Sequence, residues 1–180
     1  NLREVHAGGL ADVANSLYAL KHFVFDKKQI SLENLKKILN DDWAGQETLR
    51  LEFANTLRYY GNDDAEADAM MIRTFDDFTQ AVAEKARKTS GNFKLVAGVS
   101  TFGREIEWAQ NRKATAFGRH AHEYLAPNLG PTPGTEKESL TAVLNSYCKM
   151  NLAQAPNGCP LDLRLSAGVR KLPDAPGVLA

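Results

Sequence analysis

The strand-forming segments of this chain are too few and too far apart to build a sheet, and this limits its fold more than any other feature. Phe93 to Phe102 (Phe-Lys-Leu-Val-Ala-Gly-Val-Ser-Thr-Phe) is rich in β-formers around one glycine and predicts a largely buried strand. Leu161-Asp162-Leu163-Arg164-Leu165 alternates at period two and predicts a half-buried one. A lone pair of strands is marginal in water, so these segments need others beside them. The sequence therefore has the look of a piece cut from a larger sheet.

What comes before is helical. Leu10, Val13, Ala14, Leu17, Leu20 and Val24 recur at helical spacing behind a flexible Gly8-Gly9 entry. Ser31, a good N-cap, opens a second helix that points Leu32, Leu35, Ile38 and Leu39 inward. Gly45 interrupts, and Leu49, Phe53 and Leu57 mark a third helix. After the turn Tyr59-Tyr60-Gly61-Asn62-Asp63-Asp64, the longest helix runs from about Asp64 to Lys88, burying Met71, Phe75, Phe78 and Val82. Residues 103–138 show no clean period and hold Gly118, Gly130, Pro131, Pro133 and Gly134. A loop that long is usually functional or packed against something else. Ser139 caps a short helix from Leu140 to Lys149, and a tail with Pro173 and Pro176 follows.

Composition removes several functions. The 180 residues carry 22 basic and 22 acidic side chains, so nucleic acid and anionic membrane surfaces lack the cationic excess they would attract. No apolar run approaches the roughly 20 residues that span a bilayer. The opening residues do not resemble a secretory signal, and two cysteines make no disulfide framework, which suggests a reduced cytoplasmic setting. Cys148 is expected to be a buried structural thiol. His120, His122 and the two cysteines have no zinc spacing, so no metal site is expected. Arg104, Arg112, Lys113 and Arg119 form a mildly basic stretch with Trp108 and Phe117, but Glu105, Glu107 and Glu123 interrupt it, which favours a solvated loop or interdomain contact. No glycine pattern suits a nucleotide.

Three stretches resemble the glycyl radical enzymes, the family of pyruvate formate-lyase and related dehydratases, decarboxylases and lyases. Gly9-Leu10-Ala11-Asp12-Val13-Ala14-Asn15-Ser16-Leu17-Tyr18-Ala19-Leu20-Lys21 is similar to that family's Gly-Leu-Ala-Asn-Val-Ala-Asp-Ser-Leu helix. Tyr60-Gly61-Asn62-Asp63-Asp64, with Asp68, resembles its Phe/Tyr-Gly-Asn-Asp turn. The third stretch runs without a gap from Gly118-Arg119 through Ala121, Glu123, Leu125-Ala126, Pro131, Gly134 and Thr141-Ala142-Val143-Leu144 to Ser146 and Lys149. It departs from the pattern where Ala116-Phe117 replace Pro-Asp and Tyr124 replaces a proline. Residues Arg104 to Arg112 match no family pattern.

The resemblance implies an α/β, helix-rich fold: a partial barrel domain over 1–180, taken from the family's ten-stranded α/β barrel, helical over 9–88 and made of strands and loops over 93–180. It implies radical cleavage of a small molecule in an anaerobic, cytoplasmic enzyme, commonly a homodimer. The glycyl radical would be installed by a radical S-adenosylmethionine activase, and this segment itself would bind no cofactor. Neither the family's cysteine loop nor its glycyl loop is present. Gly158-Cys159-Pro160-Leu161-Asp162 imitates the first and Arg164-Leu165-Ser166-Ala167-Gly168-Val169 echoes the second, each out of pattern. The segment would then depend on the rest of its parent chain for catalysis.

Five residues are candidates for that parent's substrate pocket. Glu4 and His6, two apart on an extended segment, point the same way and form a potential proton-transfer pair. Ser100, Thr101 and Phe102 end the buried strand, where barrel-like folds often line cavities. Gly61, Asn62 and Asp63, and Gly118 with Arg119, are expected to be structural turns, the arginine tying loops through carboxylates or carbonyls. The competing reading is a free-standing, mainly helical interaction module that kept these motifs without catalysis.

Overall fold

The structure is a computed structural model and describes residues 1–163. Its framework is a two-stranded parallel sheet: β1 (Leu2–Ala7) pairs with β2 (Lys94–Val99), Leu2 opposite Lys94 through to Ala7 opposite Val99. Between them lie α1 (Leu10–Ala19), which continues as a π-helical segment Leu20–Asp26, then α2 (Leu32–Asn40), α3 (Glu47–Thr56) and α4 (Ala65–Lys88). After β2 come α5 (Glu105–Ala109), a long irregular stretch, α6 (Leu140–Cys148) and a 3-10 turn, Leu152–Gln154.

The caps explain where the helices start. Asp64 accepts hydrogen bonds from the Glu66 and Ala67 amides, Ser31 from Asn34 and Ser139 from Ala142, each serving an amide that the first turn leaves unpaired. In the core, Val5, Ala7, Leu95, Ala97 and Val99 join Leu10, Ala14, Met71, Phe75 and Val82, so α1 and α4 cover one face of the sheet. A second cluster gathers Phe23, Leu35, Trp43, Phe53, Tyr59 and Phe117, with the Phe23 and Phe53 rings stacked at 3.9 Å. By alternation, Glu4, His6, Val96 and Gly98 occupy the sheet's other face, away from those helices.

Several expectations are corrected. β1 is a strand in its own right, and β2 stops at Val99 rather than Phe102. Val13, Leu17 and Leu32 are exposed, because their helices present only part of each apolar stripe to the two clusters. Cys148 is exposed, not buried: α6 turns Ala142, Val143 and Ser146 inward, and Cys148 lies half a turn past Ser146. The segment expected as a second strand makes one antiparallel bridge, Leu161 to Asn128. Residues 164–180, including the Arg164–Val169 echo and the proline tail, lie outside the described residues.

The three family-like stretches converge. In the first, Asp12 accepts hydrogen bonds from the Ala126 amide (2.8 Å) and the Thr132 hydroxyl (2.9 Å), both from the third stretch. Asn15 reaches Thr132 and accepts from the amide of Tyr60, in the second. Asn62 donates to the Tyr59 and Thr135 carbonyls and accepts from the Lys137 and Glu138 amides. Arg119 donates to the carbonyls of Lys113, His120 and Glu123. The links of Asp12, Asn15 and Asn62 tie the three stretches together, although at Asp12 and Asn15 this chain carries the acid and the amide in the opposite order to the family pattern.

Burial raises the Asp12 carboxyl to about 6, against the hydrogen bonds from Ala126 and Thr132 and the nearby Arg119 charge. An acid whose pKa is higher folded than unfolded favours folding when protonated. Its contribution is therefore full below pH 4, and about 3 kcal/mol is lost as pH rises to 6. The half-buried Asp42 and the exposed Glu47, Asp63 and Glu107 carboxylates are held low, so their contributions are lost only as pH falls below about 4. Hydrogen exchange of the Ala126 amide, corrected for intrinsic rate, should lose protection between pH 4 and 6. In Asp12→Asn that decline should vanish; its persistence would assign it elsewhere.

Candidate functional site

Parallel strands present their carboxyl ends together, and both strands here end beside the same few side chains. Glu4 and His6 stand one pleat apart on β1, with Glu4 Oε2 3.7 Å from His6 Nε2. The His6 ring lies over Gly98, its register partner on β2, where an added Cβ would sit 2.8 Å from the ring. Phe102 completes the group, its ring centroid 4.7 Å from that of His6. Its left-handed backbone (φ 53°), followed by Gly103 at 73°, turns the chain sharply at the strand end. For a phenylalanine this costs on the order of 1–2 kcal/mol, and such strain concentrates at functional sites.

Ser100 and Thr101 lie next to this group, with their hydroxyls already committed. Ser100 Oγ donates to Asn128 Oδ1 (3.0 Å), as does the Thr101 amide (2.9 Å), and Thr101 Oγ1 donates to Glu105 (2.8 Å). Both residues are buried, whereas Phe102 is 65% exposed and the Glu4 side chain 57%. The first two shape the loop; the other two present surface.

Two contributors carry no sign of a functional role in the sequence. Asn128 gathers the strand end and bonds onward to Asp162. Asn157 places its carboxamide nitrogen 2.5 Å from His6 Nε2. Asn157-Gly158 is a turn dipeptide, and that was its only mark. His6 Nδ1 is buried and has no hydrogen-bond partner among the described residues.

The imitation cysteine loop has a different character. Cys159 is buried and burial pushes its thiol up, away from the thiolate a nucleophile needs. Arg104 pairs with Glu107 and Arg119 is buried among carbonyls, so the basic stretch forms no continuous cationic face. Among the described residues, no group of three His, Cys, Asp or Glu side chains could hold a metal ion, and no helix is long and apolar enough to cross a membrane.

A parallel strand pair covered by helices on one face is a β/α unit of a larger sheet, since parallel sheets are covered on both faces. The pyruvate formate lyase-like family profile matches residues 1–106, and the chain belongs to that family. It is 32% identical over 163 residues to the (2S)-3-sulfopropanediol dehydratase of Klebsiella oxytoca, covering 88% of this chain and 20% of that protein. With the trans-4-hydroxy-L-proline dehydratase of Clostridioides difficile it shares 28% identity over 151 residues, 84% of this chain and 19% of that one. The glycerol-bound B12-independent glycerol dehydratase from Clostridium butyricum superposes with a TM-score of 0.88 at 25% identity, over 99% of this chain and 22% of that structure. A glycyl radical enzyme from Archaeoglobus fulgidus gives 0.82 at 26%, over 98% and 23%. The chain spans about one fifth of the length of the curated relatives it matches. Its fold is a segment of the glycyl radical enzymes' α/β barrel.

Proposed function

We propose that this chain is part of a glycyl radical dehydratase that removes water from a small hydroxylated molecule, with Glu4, His6 and Phe102 on the wall of its substrate cavity. The observation that carries this reading is the position of the Glu4–His6 pair, on the helix-free face near the carboxyl ends of two parallel strands. The dehydratases among its relatives support the reaction type. In such enzymes the glycyl radical and a cysteine, both expected from elsewhere in the parent chain, supply hydrogen abstraction at carbon. The parent enzyme is cytoplasmic, anaerobic, activated by a radical S-adenosylmethionine partner and homodimeric.

The role of this segment is polar and steric. A hydroxyl leaves as water only when a proton reaches its oxygen. Glu4 is exposed enough to meet that hydroxyl and deliver the proton, and the His6 ring stands beside it with Nε2 3.7 Å from Glu4 Oε2. Phe102 offers an apolar ring to the substrate's carbon skeleton, and Ser100 and Thr101 hold that ring's loop in place.

The test uses the activated full-length parent with glycerol, propane-1,2-diol and trans-4-hydroxy-L-proline. Glu4→Gln and His6→Gln should keep the glycyl radical signal in electron paramagnetic resonance while turnover falls about 100-fold or more. Wild-type turnover in both variants would remove the pair from the cavity. Absence of any glycyl radical in the activated parent would instead favour the helical interaction module.

A further inference from the structure

His6 is gripped by a segment far along the chain. The Asn157 amide donates to the Ala97 carbonyl (3.1 Å) and the Val99 amide donates to Gly158 (2.9 Å), docking the 155–158 turn on the outer edge of β2 at the level of Gly98. That docking leaves the Asn157 side chain above Gly98. There its carboxamide meets His6 Nε2 at 2.5 Å, and a Cβ on residue 98 would come within 3.2 Å of Asn157 Cβ and 2.8 Å of the imidazole. Gly98 supplies the space, and Asn157 supplies the contact.

We propose that Asn157 is a positioning residue for the dehydration chemistry, holding His6 by Nε2 through a cradle made by Gly98. The inference rests on the reading that His6 borders the substrate cavity. Among the described residues His6 Nδ1, buried against Gly98, has no partner, so the ring is held through Nε2, 2.5 Å from the Asn157 nitrogen and 3.7 Å from Glu4 Oε2. A carboxamide suits a ring that changes protonation: its oxygen accepts from Nε2–H, and after rotation its nitrogen donates to bare Nε2. A carboxylate could do only the first, and an apolar side chain neither. Holding the ring in one orientation keeps the pair's geometry fixed, on which proton transfer depends.

The experiment is a double-mutant cycle in the activated full-length parent, with kcat/KM on the same three substrates normalised to glycyl radical content, which also reports folding. Asn157→Ala is expected to lower kcat/KM at least tenfold in the wild-type background and to have no further effect in His6→Gln. Asn157→Asp keeps the shape; should the alanine variant fail to carry radical, the aspartate variant carries the test with the same expected loss. Wild-type rates in both Asn157 variants, or an equal loss with and without His6, would overturn the inference. A wild-type rate in His6→Gln would instead overturn the cavity reading. Where none of the three substrates reacts, the dehydratase reading falls and selective 15N-histidine spectra decide: His6 nitrogen signals left unmoved by Asn157→Ala would overturn the inference.

Discussion

Gly61→Ala is expected to cost about 3 kcal/mol or more, enough to raise hydrogen exchange across residues 60–64 of the parent enzyme more than 100-fold. Two costs add. Gly61 sits at φ +99°, a conformation that L side chains rarely adopt, and an added Cβ would stand 2.4 Å from Pro131 Cγ. The proline ring is rigid and itself buried, so it cannot swing aside as a flexible side chain would. Moving either partner disturbs neighbours that are fully engaged, because Tyr60 bonds to Leu129 and Asn62 to four backbone groups. Gly45 is the control. It also has positive φ (69°), but no described residue lies within 4 Å of its missing Cβ, so Gly45→Ala should cost only the conformational part, about 1–2 kcal/mol. If the two variants exchange alike, the contact with Pro131 is not what makes Gly61 necessary.

The sequence declares features whose cause is local and conceals those whose cause is distant. Helix α4 and the caps Asp64, Ser31 and Ser139 are legible because a hydroxyl or carboxylate directly before a helical segment, serving an amide two or three residues on, is a local arrangement. β1 is concealed: Arg3, Glu4 and His6 show no apolar alternation, and only pairing with Lys94–Val99 makes Leu2–Ala7 a strand. Helix α5 has five residues, too short for any period to register. The π-helical turn at Leu20–Asp26 carries the same apolar spacing as the helix it extends. Exposed Val13 and Leu17 illustrate a further limit, since periodicity identifies an apolar face without saying what covers it. In the candidate site, Glu4 and His6 are visible as a same-face pair and Phe102 as a strand end. Asn157 becomes meaningful only once its turn docks on β2 and delivers it to His6.

Lys149→Met is expected to destabilise the same hub from its other side, by about 3 kcal/mol. Lys149 Nζ lies 2.5 Å from Asp63 Oδ1 and 2.7 Å from Asp68 Oδ2, and these two hydrogen bonds hold its own pKa above the ordinary lysine value. The two contacts are unequal. Asp63 is exposed and keeps Asn145 as a partner, so losing the lysine costs it little. The Asp68 side chain is 2% exposed, and its other oxygen has no partner among the described residues, so the methionine leaves a buried carboxylate without a hydrogen bond from any of them. Most of the loss should therefore arise from stranding Asp68. Its removal supplies the test: Asp68→Ala with Lys149→Met should be more stable than Lys149→Met alone, by roughly 2 kcal/mol in exchange of the α4 first turn. Asp63→Ala in the same background should recover almost nothing. Equal recovery from the two aspartates would mean that the interaction is a diffuse surface attraction, and the buried end of α4 would owe its stability to packing alone.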